Sequence, residues 1–198
     1  MTTFYIIRHG ETLFNTMDRI QGWCDSPLTR KGIHQMEFLR DGLSDIHFDA
    51  IYSSTSGRAM KCAQILAKDR NLDVNTLEDL REVSYGSLEG ELFRNVWPAG
   101  KLDPIGYGRY GGEDLRIAKQ RFISAMQHIA MQNPDSNVAI LASGHVIKQL
   151  LSELDERFTG EDFETANLIP CCSVTKVTFK DNHFSLDALP DISWRRGC

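Results

Sequence analysis

Two arginines, two histidines and a glutamate stand in this chain close behind short apolar runs. Arg8 and His9 follow Thr3-Phe4-Tyr5-Ile6-Ile7. Arg58 comes shortly after Phe48-Asp49-Ala50-Ile51-Tyr52-Ser53. Glu82 lies beyond a weaker run at Leu72–Leu77, and Ser143-Gly144-His145 come after Asn137–Leu141. The residue types suit phosphate. An arginine presents a planar fork that matches phosphate oxygens in pairs. Two of them hold a dianion and stabilise charge on a transferring group. A neutral imidazole can attack phosphorus and carry the phosphoryl group covalently. A carboxylic acid can protonate the departing alkoxide. Gly10 allows close approach of the backbone, and Asn15, one turn beyond Glu11, adds an amide donor.

Taken singly, each residue has a blander reading. A histidine after a strand is usually structural, Arg58 alone reads as a surface helix residue, and Glu82 alone is one acid among many. Their joint placement at the ends of buried runs is what points to a site. Ligands of open α/β sheets bind beyond the carboxyl ends of the strands. His34, His47, His128 and His183 fall in helical, loop or turn contexts and are expected to be solvated.

The elements that must position these groups are legible from hydrophobic period. The opening run is β-branched and aromatic without alternation, as in a strand buried on both faces. Thr29 is placed to cap a helix carrying Ile33, Met36, Leu39 and Leu43. A helix from Arg58 to Ala67 presents Ala59, Cys62, Ala63 and Leu66. Asp114 can cap another, whose stripe is Leu115, Ala118, Phe122, Ala125, Met126 and Ile129. A helix is expected over Gly144–Leu154. Strands near Ser173–Lys180 and Phe184–Leu189 close the chain around the turn Lys180-Asp181-Asn182-His183. Strands alternating with helices indicate an α/β sheet covered on both faces. The length, 198 residues, is that of one ordinary domain.

Residues 84–112 break the pattern. They hold many glycines and the aromatics Phe93, Trp97, Tyr107 and Tyr110. A loop of this length in a compact domain is usually a lid or a binding loop. Its aromatics fit either an apolar or planar leaving group or simple packing of the loop. A net charge of -5 disfavours general binding to nucleic acid or membrane surfaces, while allowing a small basic pocket. The cysteines, Cys24, Cys62, Cys171, Cys172 and Cys198, form no Cys-x-x-Cys pair, so reduced thiols and no metal site are expected. The run Phe4–Ile7 is too short for a signal peptide, and a soluble cytoplasmic protein is the expectation.

On these residues the chain resembles the histidine phosphatase superfamily, in the branch of the cofactor-dependent phosphoglycerate mutases. Arg8-His9-Gly10-Glu11-Thr12 with Asn15 matches that family's signature. Arg19-Ile20-Gln21-Gly22-Trp23, Ile51-Tyr52-Ser53-Ser54 with Arg58-Ala59, Leu80-Arg81-Glu82 with Glu89-Gly90, and Gly112-Glu113 match its further blocks. The resemblance implies a three-layer α/β/α sandwich with a mostly parallel sheet. It implies His9 as nucleophile through a phosphohistidine and Glu82 as proton donor. Arg8, Arg58 and Asn15 would bind phosphate, Gln21 and Gly22 would lie near the substrate, and no metal or other cofactor would be needed. The expected partner is a small phosphorylated substrate.

The chain also departs from the family. Members usually end the fourth buried strand in Ser-His-Gly, whose histidine is a second phosphate ligand. An ungapped register over Val138–Leu151 sets Ser143 on that histidine and Gly144 on its glycine, and His145 falls two positions late. Either Ser143 donates to phosphate in its place or His145 reaches in from the helix start; the register favours Ser143. The mutases' paired arginines are absent from 91–112, where only Arg94, Lys101 and Arg109 occur. The resulting expectation is a phosphomonoester hydrolase. A phosphoglycerate mutase and a weakly active or inactive phosphate-ester binder are the alternatives.

Overall fold

The computed structural model describes residues 1–99, 103–160 and 168–195; Gly100, Lys101 and Cys198 lie outside the described residues. In chain order the elements are β1 (Thr2–Arg8), α1 (Leu13–Thr16), α2 (Arg30–Gly42), β2 (Ala50–Ser54), α3 (Gly57–Ala67) and β3 (Val74–Leu77). They continue as α4 (Phe93–Val96), α5 (Leu115–Gln132), β4 (Asn137–Ala142), α6 (Gly144–Leu154), β5 (Val174–Lys180) and β6 (His183–Asp191). The strands form one sheet in the order β3-β2-β4-β1-β5-β6. The pairs β3–β2, β2–β4 and β4–β1 are parallel, and β5 runs antiparallel to β1 and β6 to β5.

The lack of alternation in β1 has a direct cause. Phe4 and Ile6 pack with Phe122, Met126, Ile129, Val146 and Leu150 under α5 and α6. Tyr5 and Ile7 pack on the opposite face with Met36, Leu39, Ala59, Cys62 and Leu66 of α2 and α3. Both faces are covered, so both registers of the strand are apolar, giving an α/β/α sandwich. Each such buried aliphatic or aromatic side chain contributes roughly 1.5–3 kcal/mol relative to exposure.

Helix starts follow the capping residues. Thr29 accepts from Gly32 N and Asp114 from Arg116 N. The register of the parallel strands aligns their carboxyl ends: Arg8 lies opposite Ala142, and Ser53 opposite Leu141. The groups that follow, His9, Arg58 and Ser143–His145, therefore emerge at one edge of the sheet. One constraint on that edge is steric. A Cβ on Gly10 would lie 2.4 Å from the carbonyl oxygen of Gly32, so only glycine lets the segment after β1 pass against the first turn of α2.

The described part of 84–112 builds its own small core. Tyr85, Trp97 and Tyr107 are buried with Ile20, Val83, Leu115 and Ala118, and Phe93 and Tyr110 pack against them. Trp97 and Tyr107 are thus packing residues, whereas Phe93 also faces the cleft described below. Among the described residues no helix is long and apolar enough to cross a membrane. His34, His47, His128 and His183 are exposed.

Candidate active site

A cleft of about 210 Å³ opens beyond the carboxyl ends of β1 and β4, and its walls include Arg8, His9, Asn15, Gln21, Glu82, Gly144 and His145. His9 forms its floor. Its backbone N–H donates to Ala142 O at 3.1 Å, tying it to β4. Its Nδ1 lies 2.8 Å from Gly10 O. A carbonyl only accepts, so Nδ1 carries the proton and the lone pair is left on Nε2. Burial, then the positive charges of Arg58 and Arg8, hold the His9 pKa well below the ordinary histidine range. The ring is neutral and its tautomer is fixed.

The two arginines are held differently. Arg8 Nη1 donates to Ile169 O. Its guanidinium lies across the start of α6, where a Cβ on Gly144 would come within 3.2 Å of it. Arg58 is wholly buried. Its Nη1 donates to Cys24 O (3.0 Å) and Asp25 Oδ1 (2.9 Å), and its Nη2 to Gly22 O (2.8 Å) and Ser143 Oγ (3.2 Å). Among the described residues neither Arg8 Nε nor Arg58 Nε has a hydrogen-bond partner, although both are buried. A buried N–H left unpaired costs about 1–3 kcal/mol. Arg8 lines the cleft; Arg58 does not, and acts on His9 through its charge.

A chain of amides links the rest. Asn15 Oδ1 accepts from Thr12 N at 3.0 Å and Thr12 Oγ1 at 2.9 Å, closing a capping box at α1. That leaves the Asn15 Nδ2 as the donor end at the cleft. Gln21, with its amide turned so that Nε2 donates to Thr12 Oγ1 (2.7 Å), accepts from Ser26 N (3.2 Å) and Arg58 Nη1 (3.3 Å). Gly22 does not line the cleft; its carbonyl supports Arg58 from behind.

Glu82 is buried at the mouth of α6. Its Oε1 accepts from Val83 N (2.9 Å) and Val146 N (2.6 Å), and its Oε2 from His145 N (2.9 Å). His145 N and Val146 N are among the first N–H groups of α6, which have no partner within the helix. Ser143 is fully buried beside Arg58 and does not line the cleft. His145, two residues on, does line it; its Nδ1 shares a 2.8 Å hydrogen bond with the Tyr85 hydroxyl, and the two rings stack at 5.9 Å. Burial, with the charge of Glu82 next, pushes the Tyr85 phenol well above its ordinary pKa, so that hydroxyl stays neutral.

The sequence profile of the histidine phosphatase superfamily (branch 1) matches residues 4–192. The chain belongs to that superfamily. A probable phosphoglycerate mutase GpmB of Proteus mirabilis is 40% identical over 159 residues, covering 77% of this chain and 74% of the relative. An uncharacterized phosphatase, PhoE, of Bacillus subtilis is 27% identical over 182 residues, covering 87% and 86%. A phosphoglycerate mutase from Bacillus anthracis superposes with a TM-score of 0.86 at 30% identity, covering 98% of this chain and 94% of that one. YhfR of Bacillus stearothermophilus superposes with 0.85 at 32%, covering 98% and 99%. A phosphoserine phosphatase of Entamoeba histolytica in complex with 3-phosphoglyceric acid shares the fold at TM-score 0.81 and 24% identity, covering 98% and 99%.

Several residues at this site were given no individual role from the sequence, although Arg19 and Glu89 stand in family-like blocks and Phe93 among the aromatics of 84–112. Phe14, Asp18, Arg19, Tyr85 and Phe93 also line the cleft. Asp25 is the carboxylate partner of buried Arg58. Glu89 accepts from the N–H groups of Gly22 (3.2 Å), Trp23 (2.8 Å), Cys24 (2.6 Å) and Tyr85 (3.0 Å). Burial pushes the Glu89 carboxyl up, but these bonds outweigh it and hold its pKa below the usual range. The turn it pins supplies the carbonyls that hold Arg58. The available signal was only Glu89-Gly90 as a motif pair.

Proposed function

We propose that this histidine phosphatase superfamily member hydrolyses a small phosphate monoester through a phosphohistidine on His9. The observation that carries the reading is the setting of that ring: it lines the cleft beside Arg8 with Nδ1 2.8 Å from Gly10 O, and burial with the charges of Arg58 and Arg8 keeps it neutral. In the first step Nε2 attacks phosphorus. The P–O ester bond breaks, and the leaving oxygen takes a proton from Glu82. In the second step water attacks the phosphoryl group, Glu82 takes back a proton, and inorganic phosphate leaves with His9 neutral again. Arg8, Arg58 and Asn15 stabilise the charge on the transferring group.

A mutase must also grip the carboxylate of its substrate. Arg94 and Arg109 are not among the residues lining the cleft, and Arg109 pairs with Asp103. Arg19 does line it, and the names of relatives keep mutase activity as the second reading. The test is a panel of phosphomonoesters and 3-phosphoglycerate, run with chelator present, on wild type and His9→Ala. Steady release of phosphate that vanishes in His9→Ala supports the hydrolase. Isomerisation without release supports the mutase. No turnover on any ester refutes both and leaves a phosphate-ester binder.

A further inference from the structure

Outside the cleft, among the described residues, Arg121 on the second turn of α5 stands out for its bonding. All five of its N–H groups are engaged. Nε donates to Glu113 Oε1 and Nη2 to Glu113 Oε2, both at 2.8 Å. Nη1 also donates to the carbonyls of Asp79 and Arg81, and Nη2 to that of Glu82, again at 2.8 Å. Glu113 Oε2 receives Ser84 N at 2.8 Å. The pair is largely buried, with side-chain exposures of 14% and 15%. Neither residue lines the cleft.

This arrangement concerns one short segment, 79–84, whose functional member is Glu82. The segment has no helix or strand of its own to fix it beyond the turn Glu78–Leu80. It is held at two ends. The Glu82 main chain is held from α5 by Arg121 and by Trp23 Nε1, which donates to Glu82 O at 2.9 Å. The Glu82 carboxylate is held by the N–H groups that open α6. A guanidinium is planar and rigid, and Glu113 fixes its plane in the side-on geometry. Three carbonyls meeting one rigid fork define the path of the segment more tightly than a turn would.

We propose that Arg121, oriented by Glu113, is the positioning residue for the proton donor, setting where the Glu82 carboxyl stands relative to the leaving-group oxygen. The inference rests on the reading of Glu82 as the acid. Proton transfer needs the donor within hydrogen-bond reach of its target, and a displacement of about 1 Å at a reacting group can cost on the order of 100-fold. Losing the fork should therefore harm proton donation, while phosphate binding and the attack by His9 continue.

Leaving groups separate these effects. An alkyl phosphate needs the proton on departure; p-nitrophenyl phosphate does not. We would measure kcat and KM for both on Arg121→Met, Glu113→Gln, Glu82→Gln and the Glu82→Gln/Arg121→Met double variant. Because Glu82 also takes the proton of the attacking water, a step common to both esters, the readout is kcat/KM, which reports only transfer to His9: Arg121→Met should lower kcat/KM on the alkyl ester by about 10- to 100-fold and change that on p-nitrophenyl phosphate by less than about threefold. Glu113→Gln should show a smaller loss of the same pattern. In the Glu82→Gln background Arg121→Met should add nothing on the alkyl ester. Equal losses of kcat/KM on both substrates, or a full additional loss of kcat/KM in the double variant, would overturn the proposal. If Arg121→Met does not fold, Glu113→Gln decides alone, because it keeps the guanidinium and its carbonyl bonds. If Glu82→Gln itself fails to discriminate between the substrates, the proton-donor reading falls and this inference with it. If Glu82→Gln discriminates and the Arg121 and Glu113 variants do not, only the inference falls.

Discussion

Arg58 is a charge placed in the interior with one carboxylate to balance it, so Asp25→Asn should reveal what that balance is worth. The separation of 2.9 Å corresponds to about 6 kcal/mol of attraction at an effective dielectric of 20, before desolvation is counted. Removing one partner of a fully buried pair costs about 3–5 kcal/mol. Asp25 is 36% exposed, and solvent screens its side of the pair, which brings the expected loss to about 2 kcal/mol. The carbonyls of Gly22 and Cys24 remain to hold the guanidinium, so the fold should survive. For a domain of this size such a loss lowers Tm by about 4–8 °C. The assay is thermal melting at low salt, with and without inorganic phosphate. Phosphate should raise the Tm of Asp25→Asn by more than that of the wild type, since the anion supplies the missing counter-charge and stabilises by mass action. A variant melting within about 1 °C of the wild type, with no larger response to phosphate, would refute the view of Arg58 as a buried charge poised for an anion.

Two further outcomes follow from the same geometry. The His9 pKa is held well below 6.5 in the fold, so an unfolded chain binds a proton there that the native state refuses; stability should fall as pH drops below about 6.5, by at most about 1.4 kcal/mol per pH unit from this residue. Denaturant melts of His9→Gln should lack that part of the acid slope, and an unchanged slope between pH 6.5 and 5 would contradict the buried neutral ring. Ser143 is buried against Arg58 and lies outside the cleft, so Ser143→His should place no new donor at the phosphate and should not raise kcat. A kcat raised about 100-fold, the worth of one oxyanion donor, would show that position 143 does reach the transferring group.

The parts of this molecule that were legible in its sequence are those governed by side-chain period. The apolar run of β1 and the stripe on α5 are contacts between side chains whose identities are written in the residue letters, and the caps Thr29 and Asp114 bond backbone N–H groups only two or three residues on, at a fixed local offset. The ends of α6 could be read for the same reason. α1 and α4 were missed because four residues make barely one turn, too few to show a period. The supports of the site were missed for a different reason. Arg58, Arg121 and Glu89 bond mostly to backbone carbonyls and N–H groups, which every residue carries and no sequence pattern marks. The aromatics of 84–112 allowed two readings because packing and ligand contact use the same rings. Burial assigns Trp97 and Tyr107 to packing, and the cleft wall includes Phe93 and Tyr85. Ser143 and His145 could not be told apart in the chain, since the helix start that separates them into an Arg58 contact and a cleft wall is a three-dimensional fact.

The central claim is that His9 becomes covalently phosphorylated. The direct measurement is rapid mixing with an isotopically labelled phosphomonoester, quenching in alkali within the first turnover, and mapping of the labelled peptide. The account predicts an acid-labile, alkali-stable phosphoryl group on the peptide containing His9, formed in a burst and absent from His9→Ala, which should not turn over. Turnover at the wild-type rate by His9→Ala, or phosphate release with no label ever reaching His9, would contradict it.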